Sequence, residues 1–435
     1  MLDEQSWALL RRLTRWLDPF KVCFGHRAQV ASLTQYVHGV LGDSARKSMQ
    51  AMLARVTEPR SYQAFQHFIT HAPWDVGPVW RRLLAVLPER RGVLILDDTG
   101  FPKQGTHSVG VSRQYSGTLG KIGNCQVAVT AALWTGVRAW LLGAELYLPE
   151  AWLSADRRHE ARIPASVRFQ EKWRLALTLI RRVRTAGIQI DLVVADAGYG
   201  DGLPFRTALA RLHLPYMLGV SSSLTLWVGP PSVGERRYTR AVTAAAVGAL
   251  SAARWAAQQP RRAWRRVTWR NGSHRPWDAQ FVAVRVTPVG LWRHHQRLAD
   301  VWLLCQRPTG ATTATAHDRY FISNLSATTS LRALVRAAHQ RWAIEQQYQE
   351  LKTELGLDHF EGRSYPGWQH HVVLTAIAYA FLQKERMRPR AGPRLTLPQV
   401  RAIVQEIFTG LLFISRPRYM HWMRVAETRF RQLRT

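Results

Sequence analysis

The sequence predicts an α/β protein in which a sheet core is interrupted by a mainly β insertion and flanked by helical regions at both ends. Three observations predict it. Short apolar runs of strand length, the continuous Val93-Leu94-Ile95-Leu96 and a second at residues 190–194, alternate with segments of helical period. Both runs end at aspartate. Turn-punctuated β segments then fill residues 222–325 before the pattern returns to helix.

Taken in order, residues 1–88 read as helices, with Trp7, Leu10, Leu13 and Leu17 on one apolar face and Trp80, Leu83, Leu84 and Leu87 on another. The strand at 93–96 follows Arg90-Arg91-Gly92 and is expected to stop at Asp97-Asp98-Thr99-Gly100. A Gly- and Ser-rich stretch, 105–123, leads to strands at 126–133 and 139–148, completing a three-strand meander. Residues 168–186 are amphipathic and suit a crossover helix, and the strand at 190–194 runs into Ala195-Asp196-Ala197-Gly198-Tyr199-Gly200. A short helix (203–212) and a strand (216–220) close this part. In the insertion an Ala-rich helix is expected at 239–258, with strands at 267–269, 280–286, 301–304 and 320–322. A long helix over 329–356 has Ser326 or Thr328 as N-cap and Gly356 as its stop. Another helix spans 368–387, and the Pro- and Arg-rich tail turns helical again near 397. The order β-β-β-α-β-α-β, insertion, long helix is that of an RNase H-like (ribonuclease H-like) core. It divides the chain into 1–88, 89–221, 222–325, 326–387 and 388–435.

Charge narrows the partners. The 435 residues carry 60 Lys+Arg against 29 Asp+Glu, a formal net charge of +31, and only seven of the cations are lysine. With 46% hydrophobic residues the chain can bury a sizeable core, so the charge belongs to a folded protein rather than a polycationic tail. Arginine grips phosphate bidentately and stacks on bases, so a polyanion contacted over a large area is the expected partner. An anionic membrane surface and an acidic protein are the competitors. The longest apolar run, 372–382, falls short of the ~20 residues that span a bilayer. The first residues lack the layout of an export signal, so a cytoplasmic protein is expected, with no membrane partner. Cys23, Cys125 and Cys305 are too scattered for a disulfide framework or a Cys-based zinc site.

In a chain so poor in acids, the aspartates at the ends of the first and fourth strands stand out, because ligands collect at the carboxyl edge of such sheets. Carboxylates there suit Mg²⁺ or Mn²⁺, and two such ions can activate a water or a 3′-hydroxyl and stabilise the leaving oxygen. A third acid is expected from the long helix, where Arg341, Glu345 and Lys352 fall on one face. An ordinary surface pair between Arg341 and Glu345 is the competing reading. Glu350 and Glu354 rotate away from Glu345 and are expected to be solvated surface charge or partner contacts. No Gly-rich phosphate loop is complete, so no nucleotide cofactor is implied. Most of the 18 tryptophans are assigned to the core.

These residues resemble a family. Arg341-x3-Glu345-x6-Lys352 is similar to the Tyr-x2-Arg-x3-Glu-x6-Lys motif of DDE transposases of bacterial insertion sequences, whose RNase H-like core carries a β-rich insertion. The stretch DDTGFPKQGTHSVGVSRQYSGTLGKIGNCQ (97–126) resembles the family's first-aspartate segment, VVADAGYG (193–200) its second, and RWAIEQQYQELKTELGLDHFEGRSYPGW (341–368) its glutamate segment. SYQAFQHFITHAPWD (61–75) matches the amino-terminal unit. The resemblance implies a catalytic, metal-binding triad of Asp98, Asp196 and Glu345 holding two Mg²⁺ or Mn²⁺ ions, with Asp97 as a helper. Strand geometry alone leaves Asp97 and Asp98 open, since neighbours point to opposite faces. Arg341 and Lys352 would contact DNA phosphates. The motif's tyrosine position holds Ala338, and Tyr348 is the candidate substitute. Tyr320 and Trp302 are candidates to hold a flipped base, with burial in the core as the competing reading. The implied partners are double-stranded DNA, as terminal inverted repeats bound by residues 1–88 and as target, and a second copy in a homodimer on DNA. The rival expectations are a domesticated, catalytically silent DNA-binding regulator and a stand-alone nuclease.

Overall fold

The computed structural model describes residues 3–228, 248–271, 276–289, 300–389 and 392–415. Five helices open the chain: α1 (Glu4–Leu17), α2 (Arg27–Leu41), α3 (Met49–Leu53), α4 (Tyr62–Thr70) and α5 (Val76–Val86). Asp3, Ser48, Ser61 and Asp75 cap α1, α3, α4 and α5 by accepting backbone N–H bonds, the expected chemistry for an N-cap. The buried stripe of α1 is Leu9, Leu13, Trp16 and Leu17, while Trp7 is exposed, so the first apolar face lies slightly round from the expected one. The face of α5 is as expected, with Trp80, Leu83, Leu84 and Leu87 all buried.

The core strands are β1 (Arg91–Pro102), β2 (Ser112–Ser116), β3 (Lys121–Trp134), β4 (Ala139–Leu146), β5 (Gln189–Ala195) and β6 (Tyr216–Val220). Between them lie α6 (Ala155–Ala161), α7 (Lys172–Thr185), α8 (Ala197–Gly200) and α9 (Leu203–Arg211). The insertion adds β7 (Thr225–Val228), β8 (Leu250–Ser251), α10 (Ala252–Ala257), β9 (Arg265–Asn271), β10 (Pro276–Pro288), β11 (Val301–Arg307) and β12 (Arg319–Ser323). The first part of the expected Ala-rich helix, 239–247, lies outside the described residues. Among the described residues, all twelve strands join one sheet in the order β2-β3-β1-β5-β6-β12-β11-β10-β7-β8, with β4 also along β3 and β9 along β10. β1, β5 and β6 run parallel, and β3 is antiparallel to β1. The insertion therefore extends the core sheet beyond β6 instead of forming a sheet of its own.

Two expectations are corrected. β1 does not stop at the aspartates but continues to Pro102, because β3 is long enough to pair with it throughout, Asp97 opposite Thr130 and Asp98 opposite Val129. The helix expected over 329–356 is instead α11 (Leu331–Ala338), capped by Ser330, then α12 (Trp342–Gln349) and a π-helical turn, Glu350–Glu354. The break falls where His339 stacks flat on Trp269 of the insertion, ring centroids 3.7 Å apart. Gly356 ends this stretch with φ +64°, a conformation glycine adopts without strain. The chain finishes with α13 (Tyr365–Arg386) and α14 (Leu397–Ser415). α14 is long and apolar enough by composition to cross a bilayer. It is nevertheless docked: Leu397, Val400, Val404, Ile407, Phe408 and Leu412 are buried, and Arg401 pairs with Glu354 at 2.8 Å.

Apolar residues alternate along β1 between two cores. Leu94 and Leu96 join the larger cluster with Leu179 and Ile180 of α7 and Phe205 of α9. Val93 and Ile95 join the other with Leu334 and Val335 of α11 and Ala343 and Ile344 of α12. This alternation decides where the two aspartates point.

Candidate active site

Asp97 continues the 93, 95 series and faces α12, and Asp98 continues the 94, 96 series and faces α7 and α8. Arg341, at the N-cap of α12, places Nη1 2.5 Å from Asp97 Oδ2, while Asp97 Oδ1 accepts the Asp98 N–H at 2.9 Å. Asp98 is held from the other face, with Lys172 Nζ 2.5 Å from Oδ2 and the Tyr199 hydroxyl donating to Oδ1. Asp196 ends β5 and caps α8, accepting the Gly198 N–H at 3.0 Å. This corner depends on glycine. A Cβ on Gly200 would lie 1.8 Å from the Gly219 carbonyl oxygen, so only glycine lets α8 sit on β6 and fix Asp196 at the sheet edge.

The electrostatics follow from this packing. Burial pushes the Asp97 carboxyl up to about 7, against the pull of Arg341 and with the negative charges of Asp196 and Asp98 adding to the rise. Burial also raises Asp196, again opposed by Arg341 and reinforced by Asp98. Burial weakens the Arg341 charge, but Asp97, Asp196 and Glu345 outweigh it and hold the guanidinium more firmly protonated. Carboxylates that repel one another at a buried sheet edge are a cation-seeking arrangement, and Arg341 and Lys172 meet part of that demand.

Glu345 stands one turn along α12, mostly exposed, with Oε1 3.5 Å from Arg341 Nη2. The fold thus brings Asp97, Asp196 and Glu345 around Arg341, while Asp98 is bound on the α7 side. Among the described residues, no three His, Cys, Asp or Glu side chains stand close enough together to hold a metal ion in this arrangement. The donors are nevertheless all hard carboxylate oxygens, the chemistry that suits Mg²⁺ or Mn²⁺, and their mutual repulsion is the kind of strain a bound cation relieves.

Lys352 sits on the π-helical turn and also reaches β1, donating to the Gly100 carbonyl at 2.8 Å and to Thr118 Oγ1 at 2.9 Å. Tyr348 contacts Thr130 Oγ1 at 2.5 Å, behind Asp97. A groove of about 750 Å³ opens beside Asp196, Arg341 and Glu345, walled by Trp269, Trp277 and Tyr320 of the insertion. Tyr320 is nearly buried there, whereas Trp277 is half exposed, with the Arg270 guanidinium 6.0 Å from its ring centroid. Trp302 does not line this groove; its indole N–H donates to the Ser326 carbonyl at 2.9 Å and Arg285 lies over its ring. Glu350 is not solvated as expected: it is buried and accepts the Tyr379 hydroxyl at 2.9 Å. Sequence reasoning missed Lys172, Tyr199 and Trp277, and only Tyr199, three residues after Asp196, carried a local signal.

The family model described as DDE superfamily endonuclease matches residues 19–276, more than half of the chain and including Asp97, Asp98 and Asp196. The chain belongs to the DDE superfamily endonucleases. Glu345 lies beyond the matched stretch. A relative described as the probable transposase for insertion sequence element IS701, from Microchaete diplosiphon, is 33% identical over 196 residues. That match covers 43% of this chain and 48% of the relative, about half the length of each.

Proposed function

We propose that this DDE superfamily endonuclease is an insertion-sequence transposase, which binds the terminal inverted repeats of its element, cuts DNA at their ends and joins the freed ends to target DNA. The observation that carries the proposal is the meeting of buried, mutually repelling carboxylates with Arg341 and Glu345 at the carboxyl edge of the parallel strands. The strand order β4-β3-β1-β5-β6, with β3 antiparallel, supports an RNase H-like core. Likeness to the IS701 transposase supports the substrate class. Two Mg²⁺ or Mn²⁺ ions, when bound by these carboxylates, would supply the activation of water or a 3′-hydroxyl and the stabilisation of the leaving oxygen.

The chain's own residues have distinct parts. The resemblance gives the β1 position of the triad to Asp98. The alternation of β1 favours Asp97, which shares the α12 face with Glu345, and we place Asp97 in the acting set with Asp196 and Glu345. Asp98, tied to Lys172 and Tyr199, then anchors β1 from the opposite face. Glu345 completes the set by turning inward from its exposed position. Arg341 moves from Asp97 to a phosphate oxygen as DNA arrives, which its planar fork suits. Lys352 braces the strand just beyond. Trp277, beside Arg270, offers a stacking surface for a base drawn into the groove, a more accessible one than Tyr320 or Trp302. The helical region 1–88 would contact the element's ends, and two copies would pair on DNA to bring both ends together.

A strand-transfer assay tests this reading. Purified protein, Mg²⁺ and duplexes ending in the inverted repeats that bound its gene should yield nicked ends and joined products. Binding without cutting would point instead to a silent regulator, and cutting without joining to a stand-alone nuclease.

A further inference from the structure

The β2–β3 hairpin is the part of the sheet that the catalytic reading leaves unused. β2 is the edge strand, with Tyr115 directly opposite Ile122 and Arg113 opposite Asn124 in the ladder. Tyr115 is 63% and Ile122 60% exposed, and Leu119 in the connecting turn is 37% exposed. Three of the twelve large apolar side chains exposed among the described residues therefore lie within eight consecutive positions, too dense a grouping for scattered surface residues. The hairpin itself is cationic. Arg113 and Lys121 are exposed on the hairpin, and no acid occurs anywhere between Asp98 and Glu145.

The hairpin is firmly seated beside the carboxylates. Ser116 is buried against β1 so closely that a Cβ on Gly100 would lie 2.3 Å from its Oγ. The Thr118 hydroxyl donates to the Gly100 carbonyl at 3.2 Å, and Lys352 bridges the same carbonyl and the same hydroxyl. Gly100 is two residues beyond Asp98. A rigid, basic, apolar-tipped projection thus stands at the end of the strand that carries the acids.

We propose that this hairpin is a DNA wedge: Tyr115 and Ile122 insert against the terminal base pairs of the duplex to be cut and unstack them, while Arg113 and Lys121 hold the flanking phosphates. Charge complementarity selects DNA over a protein partner, since β2, β3 and the turn between them offer cations and no carboxylate. Apolar side chains inserted at base steps, with cations on the adjacent backbone, are a general means of opening a duplex. The inference rests on the transposase reading and deepens it by naming how the end is opened for the groove beside Asp196.

The test uses the full chain and a duplex carrying the element's end, either fully paired or with the pairs at the cut unpaired by mismatches. Tyr115→Ser and Ile122→Ser remove exposed side chains, so folding is preserved and is checked by thermal melting. Each variant should cut the paired duplex about tenfold more slowly than wild type, the scale of one lost stacking contact, and the mismatched duplex at the wild-type rate. Permanganate should oxidise terminal thymines in the wild-type complex and not in the variants. Variants that cut both duplexes at the wild-type rate, or that lose both equally, overturn the wedge. So does loss of self-association in the variants with thymine oxidation retained, which would give the surface to a second copy. A wild-type protein that binds the duplexes but cuts neither refutes the transposase reading itself.

Discussion

Replacing Asp97 by asparagine should make the metal-free protein more stable at neutral and alkaline pH. A carboxyl raised from an ordinary 3.8 to about 7 carries a cost when ionised in the folded state of about 4 kcal/mol, at 1.36 kcal/mol per pH unit. The pull of Arg341 is already contained in that figure. An amide replaces the hydrogen bonds to Arg341 and the Asp98 N–H only in part, so the expected net gain is about 2 kcal/mol. The sign follows from linkage. Between pH 3.8 and about 7 the folded state holds the proton more tightly than the unfolded state, so the wild type loses stability as pH rises through that window. The advantage of Asp97→Asn should be full above pH 7 and, because about 3 kcal/mol of the wild type's cost disappears on protonation, give way to a deficit of about 1 kcal/mol near pH 4.5. Urea melts of both proteins in EDTA at pH 8 and pH 4.5 measure it. If the variant is less stable than wild type at pH 8, the Arg341 ion pair outweighs burial, and the account of a strained, cation-seeking carboxylate is wrong.

Three further outcomes are expected. Trp277→Ala should slow cleavage of the element's end about tenfold in a single-turnover assay while leaving the melting temperature unchanged, because the ring is half exposed and stacking on a base is its only proposed work. Glu350→Ala should destabilise the fold by about 2 kcal/mol in urea melts, since it leaves the buried Tyr379 hydroxyl without its acceptor; an unchanged midpoint would mean water reaches that site. Gly200→Ala should sharply reduce soluble, folded protein, because its methyl group meets the Gly219 carbonyl at 1.8 Å and backbone must move to admit it; normal yield with a normal melt would contradict the packing of α8 on β6.

Periodicity made much of this fold legible. The strand runs at 93–96, 190–194 and 216–220 and the helix at 203–212 were visible because both faces of the sheet are buried and apolar runs of that length mark such strands. What periodicity could not show was tertiary override. Asp97 and Asp98 looked like a strand end because acids are poor strand formers, yet pairing with β3 carries β1 straight through them. The helix at 329–356 looked continuous because nothing local breaks it; the interruption is imposed by Trp269, 70 residues earlier, stacking on His339. Glu350 looked solvated for the same reason, its partner Tyr379 lying on another helix. At the site, type, spacing and the family resemblance singled out the acids, Arg341 and Lys352, and the fold brings Asp97, Asp196 and Glu345 around Arg341. Lys172 and Tyr199 were not, because their significance comes only from the face of β1 onto which α7 and α8 pack.

The proposed DNA-cutting set is Asp97, Asp196 and Glu345. Single-turnover cleavage of an end-bearing duplex in Mg²⁺, with wild type, Asp97→Asn, Asp98→Asn, Asp196→Asn and Glu345→Gln compared at equal DNA occupancy, tests it most directly. Cleavage should be abolished in the Asp97, Asp196 and Glu345 variants and only reduced in Asp98→Asn, with DNA binding retained by all. Normal cleavage by Asp97→Asn alongside an inactive Asp98→Asn would return the strand position to Asp98, and normal cleavage by either Asp196→Asn or Glu345→Gln would contradict the site altogether.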